Sequence, residues 1–304
     1  MAPDRPLLGI LLMLGFCVLA PMGDAMAKII GQTVPLGILL LARFASQALL
    51  LLPLVILTKR PWRMKKRTLQ LAWLRTVLHI IGIGAMFSAL MYLPLADAVA
   101  IAFVMPFIML ALGHYVLGEE IGIRRFGACG VGFIGTLLVI QPAFDSVGWP
   151  ALLPLVVAVV FSFFMLVTRK IAKDVDPIGL QAVNGFMAVA ILLPMLVLFS
   201  GTDITLFALK VPTVGEALFL FAIGLLGTFA HLLMTWSLRF APAATVAPMQ
   251  YLEIPFATLI GWFVFMELPN GLASLGIAIT ISAGLYIVMR ERAMSRAVEQ
   301  VPLA

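Results

Sequence analysis

Charge is scarce in this sequence: Asp, Glu, Lys and Arg make up 11% of its 304 residues, whereas 63% of the residues are hydrophobic. Soluble globular domains contain about 25% charged residues, so this class is excluded. Apolar runs of about 18 or more residues, long enough to cross a hydrocarbon layer about 30 Å thick, recur from end to end. The sequence therefore predicts an all-α membrane protein with many passes.

Cysteine and histidine are also rare, with two and three copies. His79, His114 and His231 are too scattered for the His-Glu-x-x-His pattern of zinc hydrolases, and acidic residues inside the apolar runs are isolated. The glycine-rich run 127–135 lacks the Lys-Ser or Lys-Thr ending of a phosphate-binding loop, and we interpret it as a surface for close helix packing. We expect no catalytic site, no metal and no cofactor, with a membrane enzyme as the rival class.

No polar segment is long enough to form a separate domain, which disfavours a membrane sensor built around a partner domain. The net charge of +6 follows from the basic loops described next rather than from a nucleic-acid surface. The expected partners are a small-molecule substrate and the lipid bilayer, with no nucleic acid. Assembly as a monomer and as a homodimer both stay open.

Apolar runs bounded by charge, glycine and proline predict ten membrane-spanning helices. Their approximate bounds are 7–28, 35–57, 69–91, 95–118, 124–141, 149–168, 177–199, 214–239, 243–266 and 271–289. We expect these helices to form two units, 7–141 and 149–289, followed by a tail, 290–304.

The segment between the second and third predicted helices, TKRPWRMKKR, holds six basic residues. Short basic loops stay in the cytoplasm. With both termini cytoplasmic, the inner segments contain 16 of the 20 Lys and Arg residues, and the outer loops contain Lys28 and Lys210. The predicted location is the cell (inner) membrane. The stretch from Leu7 to Ala27 imitates a secretory signal, but its removal would break this topology, so we expect it to remain as the first helix.

The two halves of the sequence match each other. Residues 94–119 align with 242–267 without a gap, and earlier in the halves Lys28 falls on Lys170. Five spans per unit force the second unit to insert upside down relative to the first, which predicts an inverted repeat with a binding site near the middle of the membrane. Three prolines are expected to weaken the helices there: Pro106, Pro248 and Pro255.

Several motifs resemble the drug/metabolite transporter superfamily, in particular its EamA-type members with two five-helix repeats. They are the Arg43-Phe44 pair, Pro94, Pro106, and the Glu119 and Glu267 that end the fourth and ninth predicted helices. The resemblance covers nearly the whole chain. It implies a ten-helix fold and the movement of small metabolites across the cytoplasmic membrane without ATP hydrolysis, as an uptake carrier, an exporter or an exchanger.

A smaller set of residues is most similar to carriers of S-adenosylmethionine or riboflavin within that family. The set comprises Gly132-Phe133-Ile134-Gly135, Ala247-Pro248, Tyr251-Leu252-Glu253, Glu267 and Pro269. The resemblance implies that the cargo is a small polar or amphipathic metabolite.

Glu253 is the most informative polar residue, because a carboxylate inside a membrane helix is costly and is usually retained for a function. Met105 occupies the matching place in the first half, so the acid breaks the repeat. Gln250 lies one turn earlier on the same helix face, whereas Tyr251 points elsewhere unless Pro248 distorts the turn. We interpret these residues as candidates for binding substrate or a proton, with a purely structural carboxylate as the alternative.

Asp24 and Arg43 lie at similar depths in the first two helices, which predicts a charge pair. Leu166 and Gly185 replace them in the second half, so the pair also breaks the repeat. A fixed pair that holds the first hairpin together and a gate that opens during transport are both consistent with this placement.

Three further helices each carry one polar stripe. Arg75 and His79 share a face of the third helix, and we expect Arg75 to extend its charge to the membrane surface. The seventh helix carries Gln181 and Asn184, and the eighth carries His231 followed by Trp236. Such stripes indicate a wet cavity or hydrogen bonds between helices.

The resulting prediction is a secondary-active transporter that moves a small polar or amphipathic metabolite by alternating access, with proton coupling or exchange as options. An exporter of a metabolite or drug on the same fold is the alternative within this class.

Overall fold

The computed structural model describes residues 5–117, 123–202, 205–242 and 246–299, and within these ranges the chain is helical and contains no β-strand. The α-helices are α1 (Pro6–Ile30), α2 (Leu36–Leu57), α3 (Lys66–Ala89), α4 (Leu95–Ala102), α5 (Met105–Leu117), α6 (Ile123–Val147), α7 (Leu153–Ala172), α8 (Pro177–Phe199), α9 (Val214–Phe240), α10 (Glu253–Phe265) and α11 (Gly271–Glu299). Short 3₁₀ segments occur at Trp149–Leu152, Thr205–Phe207 and Ala247–Leu252.

Eight helical segments in the described ranges are long and apolar enough to cross a membrane. Two shorter apolar segments, Met249–Phe265 and Gly271–Tyr286, accompany them. The prediction of an all-helical membrane protein with many passes is confirmed.

Several helix boundaries follow directly from local sequence. Asp176 precedes α8, and its side chain accepts a hydrogen bond from the backbone of Gly179 at 2.9 Å, which satisfies a donor at the helix start. Thr213 and Glu216 form a capping box at the start of α9. Met266 adopts a left-handed conformation (φ 55°) and ends α10, which turns the chain so that Glu267 follows outside the helix.

The fourth helix of each half is interrupted at the same place. In the first half α4 stops at Ala102 and α5 begins at Met105, and in the second half a 3₁₀ segment precedes α10, which begins at Glu253. Met105 and Glu253 are matching positions in the repeat, and both α5 and α10 are 13 residues long. A proline in the first turn of each helix explains the break, because it cannot donate the hydrogen bond that would continue a helix from the preceding segment.

Contacts between the two halves come in matched pairs. Helix α1 packs against α9, and α3 packs against α7, so the first helix of each half contacts the third helix of the other. Helix α2 packs against α8, and α6 packs against α11. Each contact thus has its match in the other half, as a twofold relation between the halves requires.

Small residues allow the closest of these crossings. A Cβ added at Gly185 on α8 would contact the backbone of Ala48 on α2, and one added at Gly135 on α6 would contact Thr280 on α11. Gly135 belongs to the predicted packing surface. Gly127 and Gly130, in the same run, have open space beside them, so that surface is shorter than predicted.

Candidate functional site

A cavity lies between the two halves. It is lined by α1, α2, α3, α4, α7 and α9, together with the first residues of α5 and α10. It extends from the middle of the bundle toward the end that carries the C-terminus of α1 and the N-terminus of α2, here called the Lys28 end. The opposite end, which carries the C-terminus of α9, is called the Arg239 end. Four lining residues are ionisable: Asp24, Arg43, His231 and Glu253.

Glu253 lines the cavity from the first position of α10, beside the interruption of the helix. Its side chain is largely buried, and it forms neither a hydrogen bond nor an ion pair within 4 Å in the part of the chain that the structure describes. Met105, its match in the first half, lines the same cavity. The acid therefore lies where the two interrupted helices meet, and its charge has no direct protein partner there.

Asp24 and Arg43 line the same cavity but do not form the predicted charge pair within 4 Å in this conformation. The charge of Asp24 acts through space on the charges of both Arg43 and Glu253. Asp24 has no hydrogen-bond partner among the described residues. The site thus combines two carboxyl groups and one guanidinium in a space with mostly apolar walls, and a gating role for Asp24 and Arg43 stays a prediction.

The guanidinium of Arg43 has neutral partners in the described ranges. Its Nη1 donates to Oε1 of Gln47 at 3.0 Å, and its Nη2 lies 3.2 Å from Nδ1 of His231. The absence of a side chain at Gly227 leaves room for the guanidinium against α9. Sequence analysis did not select Gln47 or Gly227, although Gln47 follows Arg43 by one turn and Gly227 precedes His231 by one turn.

Arg75 is completely buried, so the prediction that it reaches the membrane surface is wrong. It donates to Oδ1 of Asn184 at 2.6 Å, to Oγ1 of Thr168 at 2.9 Å, to Oε1 of Gln181 at 3.2 Å and to Oγ1 of Thr235 at 3.4 Å. The reason is that α3 is surrounded by α7, α8 and α9, each of which supplies an acceptor. The polar stripes therefore serve largely as hydrogen bonds between helices.

His79 and His231 stack with their ring centroids 4.3 Å apart. His79 lies outside the cavity lining, and its Nδ1 is 3.3 Å from Nδ2 of Asn184. His231 reaches the cavity, and its Nδ1 lies near both Arg43 and the carbonyl oxygen of Gly227, the latter at 2.9 Å. The Nε2 atoms of both rings are buried without a partner in the described structure. These rings link the cavity to the hydrogen bonds around Arg75.

Three further predicted residues, besides those around Arg75 and His79, lie outside this cavity. Gln250 is fully buried on the 3₁₀ segment before Glu253. Tyr251 packs against the rings of Phe103, with centroids 5.3 Å apart, and Phe107, at 6.3 Å. Trp236 packs against the apolar cluster between α2 and α8. Their predicted contact with the present cavity is therefore not observed.

Aromatic rings form part of the cavity wall: Phe16, Phe87, Phe103 and Phe161. None of these rings carries a sequence signal that separates it from the remaining aromatics. Phe87 also borders a second groove at the Lys28 end, whose lining includes Gly31 and Trp149. Phe87 therefore lies between the cavity and that groove.

An ion pair closes the helix ends near this groove. Nζ of Lys28 lies 2.7 Å from both carboxylate oxygens of Glu267 and 2.9 Å from the carbonyl oxygen of Leu93. The contact joins α1 to the segment that follows α10 and to the segment that precedes α4. It connects both halves at the Lys28 end.

A model of the EamA-like transporter family matches this chain twice, over residues 7–141 and 148–290. The chain belongs to the EamA-like transporter family. The match covers both halves, in agreement with the resemblance seen in the sequence motifs.

Curated relatives are named as metabolite transporters. The riboflavin transporter of Rhizobium johnstonii is 31% identical over 79% of this chain and 74% of its own. The S-adenosylmethionine uptake transporter of Rickettsia prowazekii is 24% identical over 90% of each chain, and the pseudopaline exporter CntI of Pseudomonas aeruginosa is 25% identical over 90% of each. The family and the names of these relatives point to a metabolite transporter rather than to an enzyme.

A solved crystal structure shares the fold. It superposes with a TM-score of 0.66 over 95% of this chain and 97% of its own, at 18% sequence identity.

Proposed function

We propose that this EamA family member is a secondary-active carrier in the cell (inner) membrane, which moves a small charged metabolite by alternating access. In this proposal the chain forms ten spans in two inverted units, 7–141 and 149–289, with both termini and the tail 290–304 in the cytoplasm. The matched contacts between the halves and the concentration of basic residues in one set of loops support it.

The described conformation corresponds to the outward-facing side of this cycle. The cavity extends toward the Lys28 end, which the basic-loop topology puts outside the cell. Toward the Arg239 end, the hydrogen bonds of Arg75 join α3 to α7, α8 and α9. Breaking and remaking these contacts would then accompany the turnover of the carrier.

The observation that carries the proposal is the pair of carboxyl groups, Asp24 and Glu253, that line the cavity without a hydrogen bond or ion pair in the described structure. Carboxylates in such a medium need a counter-charge, and a cargo that carries an amine or another cation supplies it. Arg43 can meet a carboxylate on the same cargo.

S-adenosylmethionine has this combination of groups, since it carries a sulfonium, an amine, a carboxylate and a ring system. The aromatic wall residues, including Phe16 and Phe161, would hold the ring. We therefore propose a cargo of the S-adenosylmethionine or amino-acid-like type. The relative from Rickettsia prowazekii agrees with this choice.

Riboflavin is the second candidate, favoured by the aromatic walls and by the relative that is 31% identical. It is uncharged, so it would use the rings and leave the carboxyl groups without a counter-charge. A free carboxyl group could then hold the coupling proton, which competes with a cation for the same oxygen atoms. Direction follows the gradients, so import and export are both within reach of one cycle.

The test is a thermal-shift and uptake experiment on purified carrier. The midpoint of thermal unfolding should rise with the concentration of S-adenosylmethionine, because a ligand stabilises the folded protein by mass action. Analogues that lack the amine or the carboxylate should raise it less at the same concentration. Arg43→Gln should weaken the binding of S-adenosylmethionine more than the binding of the analogue that lacks the carboxylate. Arg63→Gln, in an exposed loop, serves as the matched control. Saturable uptake of riboflavin alone would select the second candidate, and no saturable uptake of any tested metabolite would overturn the proposal.

A further inference from the structure

Gln250 is buried, and neither of its side-chain polar atoms is paired with a described residue. Its Oε1 and Nε2 have no hydrogen-bond partner in the part of the chain that the structure describes, and its side chain is fully inaccessible. Gln47 provides the contrast, since its amide accepts from Arg43 at 3.0 Å and donates to the carbonyl oxygen of Gln181 at 2.7 Å. An unpaired buried amide destabilises the described conformation, because burial removes it from water without a replacement hydrogen bond. Such a group calls for an explanation, and a second conformation in which the amide is paired would provide one.

The repeat identifies where Gln250 would be used. The gapless alignment of the halves puts Gln250 on Ala102, Tyr251 on Phe103 and Glu253 on Met105. The first-half members, Ala102, Phe103 and Met105, all line the present cavity, whereas Gln250 and Tyr251 do not. The matching starts of α5 and α10 support this alignment in three dimensions.

In an inverted repeat, the two halves exchange conformations when the carrier changes its facing. Positions that line the cavity in one state are then replaced by their matches in the other. We propose that Gln250 and Tyr251 enter the cavity in the state open to the Arg239 end, where Gln250 binds the polar groups of the cargo. This inference rests on the proposed alternating cycle. Ala102 and Phe103 become buried in that state, and Glu253 stays at the centre in both.

The exchange gives the two facings different chemistry. The cavity that faces the Lys28 end offers Asp24 and Arg43, whose matches in the second half are Leu166 and Gly185. The cavity that faces the Arg239 end therefore lacks this pair of charges and offers the amide of Gln250, and the buried guanidinium of Arg75 lies toward the same end. Charged groups of the cargo thus meet different side chains in the two states.

Cysteine accessibility tests the exchange at matched positions. Ala102→Cys and Gln250→Cys are made in a carrier whose Cys17 and Cys129 are replaced by alanine, and uptake activity is checked first. A membrane-impermeant thiol reagent is applied to right-side-out and inside-out vesicles. Ala102→Cys should react at least about tenfold faster from the outside, and Gln250→Cys should react at least about tenfold faster from the inside. Cycling with an excess of S-adenosylmethionine should accelerate the inner reaction.

Equal rates at Gln250→Cys from the two sides, or no reaction from the inside while Ala102→Cys reacts from the outside, would overturn the inference. If uptake of S-adenosylmethionine is intact in that case, the proposed function stands and the inference alone falls. If the unmodified carrier shows no uptake, the proposed function falls, while the accessibility pattern still reports the exchange.

Gln250→Leu provides a second measurement that does not depend on cysteine chemistry. Removing an unpaired buried amide should raise the midpoint of thermal unfolding in detergent. It should also slow uptake, because the described conformation becomes more stable relative to the state open to the Arg239 end. The matched control, Gln47→Leu, removes an amide with both partners and should lower the midpoint. A lower midpoint for Gln250→Leu together with unchanged uptake would contradict the inference.

Discussion

Arg75 donates a hydrogen bond from Nη1 to Oδ1 of Asn184 across 2.6 Å, which joins α3 to α8 inside the bundle. Both side chains are buried. The guanidinium also lies over the ring of Phe164, 4.5 Å from its centroid. The bond is part of a set in which neutral acceptors from three helices converge on one cation.

Arg75→Lys should therefore destabilise the carrier although the charge is kept. A lysine ammonium is compact and cannot reach acceptors on three helices as the planar guanidinium does. Loss of about two hydrogen bonds from a charged donor corresponds to a cost of about 2 kcal/mol. Thermal unfolding in detergent measures the cost, and Arg63→Lys, in an exposed loop, should leave the midpoint unchanged. An unaltered midpoint for Arg75→Lys would show that its four contacts contribute nothing.

Glu253→Gln should lower the affinity for a cationic cargo while the fold persists. The amide keeps the volume of the side chain but removes the charge, and loss of one charged contact corresponds to about a tenfold rise in KM. The pH dependence of uptake should also flatten, because the titrating carboxyl group is gone. Radiolabelled uptake into vesicles is the measurement, with Asp174→Asn in the exposed loop between α7 and α8 as the control. Equal KM and equal pH dependence in the two variants would remove Glu253 from the mechanism.

The Lys28–Glu267 ion pair should be coupled in a double-mutant cycle. Its members are about 13% and 31% exposed, so we expect a coupling of about 1 kcal/mol between Lys28→Gln and Glu267→Gln in thermal unfolding. The Lys210–Glu216 pair, at 2.6 Å and with the lysine more exposed, should show a smaller coupling. Additive effects at Lys28 and Glu267 would mean that the contact does not hold the Lys28 end together.

Gly284→Ala should destabilise the packing of α11 on the 3₁₀ segment that precedes α10. A Cβ at this position would overlap the ring of Tyr251, and overpacking of this kind costs about 1–3 kcal/mol. Gly127→Ala has no atom within 4 Å of the added Cβ and should be neutral or slightly stabilising. The midpoint of thermal unfolding should therefore be lower for Gly284→Ala than for Gly127→Ala. Equal midpoints would contradict the observed contact.

The sequence was sufficient to predict the interrupted helices and the acid beside them. Proline and the internal repeat are local signals, and a lone carboxylate in an apolar run stands out wherever the helix is placed. The pairing of α1 with α9 and of α3 with α7 is what the predicted repeat requires. These features depend on the order of residues along one helix or on the match between halves.

The environment of Arg75 could not be predicted, because its four acceptors come from three other helices. A lone arginine near a helix end is compatible with a side chain that extends to the lipid headgroups and with one that is buried among hydrogen-bond acceptors. The distinction depends on which helices surround it. No spacing within one segment contains that information.

Gln250 shows a different limit. The prediction that it shares a face with Glu253 concerns rotation about the helix axis, whereas access to the cavity depends on depth along the axis. Gln250 lies one turn closer to the Arg239 end, and the cavity extends from Glu253 toward the Lys28 end. The facing of the carrier therefore decides which of the two side chains is reached.

The Nδ1 atom of His231 lies between two groups with opposite demands: the guanidinium of Arg43 needs an acceptor, and the carbonyl oxygen of Gly227 needs a donor. One nitrogen can satisfy one of them at a time. A tautomer that serves the backbone leaves a guanidinium N–H without its acceptor at the cavity wall. In the proposed cycle a carboxylate on the cargo would accept from that N–H, so the position of a single hydrogen on one imidazole affects how this wall binds the carboxylate end of the cargo.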